Sequence, residues 1–122
     1  MSSVGEYKNF WTLGRELDQQ MFSFRQKGMN GTPEEREDFL KQIFHGVRFN
    51  GRVAILAAPL LGKSEQEVFD ALAATVIPFA TEQAKETDYT AEQTALYIEA
   101  HTRAYETLAE QMGLNAPSWK NS

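Results

Sequence analysis

Acid–base chemistry in this chain can draw on only two histidines, His45 and His101. Imidazole is the side chain that ordinarily titrates near neutral pH, so these are the first places to look for a proton carrier. His101 falls midway between Tyr97 and Tyr105 at four-residue steps, with Glu99 close by in sequence. Those groups are the makings of a minimal acid–base enzyme, but the same spacing puts His101 on the apolar side of one helix. Neither histidine belongs to a Glu-x-x-His pair of the kind that carboxylate-bridged metal bundles use. A His-Glu-x-x-His zinc motif, a Gly-x-Ser-x-Gly elbow and an EF-hand loop are also missing. With no cysteine in the chain, thiolate catalysis, disulfides and sulfur-ligated metals are excluded. The reading is a protein that works without catalysis, metal or cofactor.

Phosphate chemistry has one foothold. Ala57 to Ser64 ends in Gly62-Lys63-Ser64 and follows the apolar Val53-Ala54-Ile55-Leu56, so it resembles a Walker A loop leaving a strand. Such a loop needs glycine at both ends so that successive N–H groups can curl around a phosphate. Ala57 stands where the first glycine belongs, and the alternating strands of a nucleotide hydrolase are missing. A weaker version survives. In an up-down bundle the end of the second helix and the start of the third share one pole, which gathers His45, Arg48, Arg52 and Lys63 near Ser64. Free N–H groups and the positive end of a helix dipole favour an anion there, such as a phosphate-bearing small molecule.

The elements that must position these groups are helices. Thr32-Pro33-Glu34-Glu35, Ser64-Glu65-Gln66-Glu67 and Thr90-Ala91-Glu92-Gln93 each place a hydroxyl three residues before a Glu or Gln, the arrangement of a capping box. Pro33 suits a first helical position, where no N–H is needed. Apolar residues then recur at three- and four-residue steps: Phe10, Leu13, Leu17, Met21 and Phe24; Phe39, Leu40, Ile43, Phe44 and Val47; Val68, Phe69, Leu72, Val76 and Phe79; Ile98, His101, Tyr105, Leu108 and Met112. These patterns predict four main helices over about 5–27, 33–49, 64–86 and 91–112, each burying its stripe. Gly28 is read as the stop of the first, Asn50-Gly51 as an interruption after the second, Pro78 as a kink and Gly113 as a C-terminal cap. Residues 51–61 have no polar side, which predicts a short helical segment buried all round, in the core or at a subunit interface. The expected fold is all-α, a single-domain bundle over 1–113 with a tail over 114–122.

At 122 residues, with 42% hydrophobic and 24% charged residues, the chain suits one soluble domain with its own core. Its longest apolar run is about half the ~20 residues a membrane span needs, and no signal-peptide pattern opens the sequence, so a cytoplasmic location is expected. Charge is uneven. Residues 1–63 carry nine Lys or Arg against seven Asp or Glu, and residues 64–122 carry three against ten, within a net charge of −5. An acidic chain lacking a basic stripe with interleaved aromatics argues against nucleic-acid binding. Polarity between the halves can instead orient self-association or steer a partner. Eight Phe, four Tyr and two Trp point the same way, and Trp11, Tyr97, His101, Tyr105 and Trp119 are the candidates for a contact surface. The functional expectation is a small helical interaction protein that forms a homo-oligomer and binds or inhibits a protein partner. The alternative is a module binding a phosphate- or nucleotide-type anion at His45, Arg48, Arg52, Lys63 and Ser64.

Overall fold

Three capping boxes set the register of the bundle. The hydroxyls of Thr32, Ser64 and Thr90 accept the N–H groups of Glu35, Glu67 and Gln93 at 3.2, 3.1 and 3.1 Å. In return the side chains of those three residues accept the N–H of each cap residue at 3.0 Å. Each box satisfies donors that a helix start would otherwise leave open.

The computed structural model describes residues 10–117 and 119, with side chains from Leu13 onward. Among the described residues there are four α-helices and no strand: α1 Phe10–Met29, α2 Pro33–Leu56, α3 Glu65–Glu86 and α4 Ala91–Met112. A single turn of 3₁₀ helix, Ala58–Leu61, joins α2 to α3. Gly62 and Gly113 close the 3₁₀ turn and α4 in the left-handed conformation, with φ of 66° and 67°, where a Cβ would be strained. The expected start of the first helix near residue 5 lies outside the described residues.

Packing is most extensive between α2 and α4; α3 also lies along α4, and α1 is applied to α2. At the pole where α2 ends and α3 begins, Ile55, Ala58, Val68, Phe69, Ala73, Leu108 and Ala109 form one buried cluster. Met29, Phe39, Ala80, Ala84 and Tyr97 form another at the opposite pole. Alanines 73, 80, 84, 100, 104 and 109 are all buried, and side chains this small let α3 and α4 pack at short range.

Several expectations are corrected. Asn50-Gly51 does not interrupt the second helix, which runs on to Leu56. Gly51 is buried against Leu108 of α4, where an added Cβ would come within 2.9 Å of Leu108 Cδ2. It is a close-approach glycine rather than a breaker. Gly28 is the last residue but one of α1, which ends at Met29, two residues beyond the expected end. Pro78 sits within α3, which continues to Glu86 as expected.

The segment over 51–61 is not buried all round. Ile55 and Ala58 face the core, while Val53, Leu56, Leu60 and Leu61 are exposed, Leu60 by 87%. The α1 stripe is also largely open at Leu17, Met21 and Phe24, and so is Phe79 on α3. The expected tail is partly docked. Leu114 and Trp119 pack against the first cluster, and the Gln66 amide holds the Asn115 backbone at both its N–H, 2.8 Å, and its carbonyl, 2.9 Å.

Candidate functional site

The basic pole assembles only in part. His45 and Arg48 stand one turn apart on α2, and an Arg48 Nη donates to His45 Nδ1 at 3.3 Å. Arg48 also lies over the Phe44 ring, 5.7 Å from its centroid, and reaches Gln111 Oε1 on α4 at 3.5 Å. Its guanidinium is thus spread along the α2/α4 seam. Arg52, Lys63 and Ser64 are exposed, and no described contact ties them to the His45–Arg48 pair. The start of α3 already holds an anion of its own. The Glu67 carboxylate accepts the Ser64 N–H, and hydrogen bonds from the Ser64 backbone and side chain hold its pKa below 4.5, with Lys63 adding a smaller pull.

Of the expected contact residues, Tyr97 and His101 are interior. Each is only 2% exposed, because α4 turns this face toward α2 and α3. His101 Nδ1 lies 2.8 Å from the Tyr97 carbonyl one turn back. A carbonyl can only accept, so Nδ1 carries the proton. Burial, the larger effect, lowers the His101 pKa, and the bond to Tyr97 opposes it; the ring is neutral at pH 7. It packs against the Tyr97 ring at 4.6 Å and Phe79 at 6.3 Å. The acid–base set does not form. The Tyr97 hydroxyl donates to Gln83 Oε1 at 2.6 Å, and Glu99 pairs with Arg103 at 3.6 Å on the surface. Tyr105 is half-buried against Phe69, ring centroids 5.9 Å apart, and burial raises its pKa. Trp119 is partly buried on the α3/α4 side of the core. The Trp11 side chain lies outside the described residues.

Two features escaped the sequence reading. One is a polar node at the pole shared by α1, α3 and α4. Arg25 is 92% buried, being 8% exposed, and makes no ion pair among the described residues. Its Nε donates to Thr87 Oγ1 at 2.9 Å, and Thr87 Oγ1 donates onward to the Gln83 carbonyl at 2.7 Å. The Tyr89 hydroxyl donates to the Arg25 carbonyl at 2.8 Å. A lone arginine on an amphipathic helix carries no sequence signal for such a role.

The other is a groove of about 550 Å³ between the first half of α2 and α4. Leu40, Phe44 and Leu96 form its apolar floor, and Arg36, Lys41, His45 and Arg103 stand around it. Lys41 is shared with Glu37 at 3.4 Å in an exposed pair, an interaction worth little in water. The i, i+4 spacing of Leu40 and Phe44 is visible in the sequence; the α4 wall is not.

Among the described residues, no group of three or more His, Asp or Glu side chains could hold a metal ion, and no helix is long and apolar enough to cross a membrane. Comparison with known protein families, with curated proteins and with solved structures finds no match.

Proposed function

We propose that this chain is a non-enzymatic helical interaction protein, acting in the cytoplasm, that self-associates and binds or inhibits a protein partner. One observation carries the reading: large apolar side chains stand open on three helices and the connecting turn. They are Leu17, Met21 and Phe24 on α1, Phe49, Val53 and Leu56 on α2, Leu60 and Leu61 after it, and Phe79 on α3. Scattered single apolar residues are ordinary on a surface, but rows of them mark contact sites. Sedimentation velocity at micromolar concentration tests the self-association. A mass above the 13.8 kDa chain is the expected result, and a monomer at every concentration overturns it.

The α2/α4 groove favours a second reading, a module for small anionic ligands held by Arg36, His45 and Arg103. Cationic side chains over an apolar floor suit a ligand with a phosphate or carboxylate at one end. A phosphate or nucleotide that raises the melting temperature of the wild type but not of Arg36→Ala supports this reading; no shift with either protein removes it.

A further inference from the structure

The open row on α2 has the geometry of a helix-pairing seam. Phe49, Val53 and Leu56 follow one another at steps of four and three residues, the alternation by which two helices keep an apolar edge facing each other. They lie on the side of α2 away from the buried Gly51 and Ile55 and are 67%, 53% and 54% exposed. Three residues before Phe49, at the same alternation, stands Gly46, in open space with nothing within 4 Å of where its Cβ would be. Glycine costs about 1 kcal/mol inside a helix, and no described residue comes close enough to require it there. A second helix lying close along this face would.

We infer that the C-terminal half of α2 is the face on which a second copy of this chain docks, pairing like with like about a two-fold axis. This rests on the self-association proposed above and assigns its surface. Area supports a second copy as the occupant. Phe49, Val53 and Leu56, with Leu60 and Leu61 beyond the helix end, expose on the order of 600 Å², at the upper limit of what a monomer leaves in one patch. That is most of the ~800 Å² that each partner contributes to a standard interface. Because an isologous contact uses the same patch twice, one apolar row on one helix is sufficient. Arg52, exposed one turn before Leu56, borders the row, so lysines placed within it repel that arginine and the same lysines on the other copy.

The test compares the wild type with Val53→Lys/Leu56→Lys, and with Leu17→Lys/Met21→Lys as a control on α1. Lysine is a good helix former and suits a helix C-terminus, so circular dichroism should remain unchanged. The inference expects the α2 variant to sediment as a 13.8 kDa monomer, its dissociation midpoint raised at least about 100-fold, and the α1 variant to associate like the wild type. A second readout is independent of the lysines. The chain has no cysteine, so Val53→Cys supplies a unique thiol, and a short bismaleimide should convert this variant to a covalent dimer. If the wild type associates while the α2 lysines leave its mass unaltered and Val53→Cys does not cross-link, the α2 assignment is overturned and the interaction reading stands. A wild type that is monomeric throughout overturns both.

Discussion

Gly28 of α1 lies flat against the ring of Phe39 in α2, so close that a Cβ on Gly28 would overlap three atoms of that side chain. Phe39 is only 2% exposed and has nowhere to retreat. Phe24 meets it edge to face at 5.2 Å, and Tyr97 stacks at 6.4 Å. Gly28→Ala should therefore destabilise the protein by about 1–3 kcal/mol, the usual cost of overpacking, despite the better helix propensity of alanine. Urea denaturation followed by circular dichroism measures it. An unchanged or higher midpoint would mean that α1 does not dock on α2 in this way.

Gly46→Ala should have the opposite sign in the isolated chain. Open space surrounds the position and its φ is not positive, so only the helix propensity changes, worth about 0.5–1 kcal/mol in favour of alanine. The measurement belongs at a protein concentration low enough for sedimentation to report the monomer. A destabilised monomer would reveal a contact at Gly46 within the chain.

Thr87→Val tests the polar node. Valine matches the shape of threonine but neither accepts from Arg25 nor donates to the Gln83 carbonyl, so a buried guanidinium N–H loses its partner. A loss of about 1–3 kcal/mol is expected. Hydrogen exchange should quicken in the second half of α1, because Arg25 ties that helix to the end of α3. Exchange unaltered in α1 would show that the node does not anchor it.

His101 should make stability depend on pH in a defined window. Burial holds its folded pKa below the ordinary 6.5, so between the two values the unfolded chain binds the extra proton. Its contribution is complete above pH 6.5 and is lost progressively as the pH falls toward the depressed folded value. Thermal melts from pH 7.5 downward should show a decline that flattens in His101→Gln. Parallel pH profiles for the two proteins would assign the decline to other groups.

Local chemistry made the helices legible, while the surface was read less well. The three capping boxes place the starts of α2, α3 and α4 at Pro33, Glu65 and Ala91, because a cap is a contact among four neighbouring residues. Glycine signalled more than a break. Gly28 and Gly51 look like stops, yet each is a place where another helix comes close, and the sequence does not say which helix that is. The apolar stripes fixed helix period without fixing burial: Phe69 is interior and Phe79 exposed, although both fit one α3 stripe. The His45–Arg48 contact follows from a single helical turn, whereas the α2/α4 groove and the Arg25–Thr87 bond join residues far apart in the chain.

The capping boxes also differ in what they are made of. Glu35 and Glu67 close the first two with carboxylates, each kept below pH 4.5 first by the hydrogen bond from the backbone of Thr32 or Ser64 and then by the bond to its hydroxyl. Gln93 closes the third with an amide, which has no proton to gain. Acid therefore reaches the three junctions unequally. As the pH falls through the depressed carboxyl values, the first turns of α2 and α3 lose their anion and begin to fray, while that of α4 keeps its lock. α4 packs against both α2 and α3, so acid loosens the entries of the two helices that α4 rests on and leaves the entry of α4 itself in place.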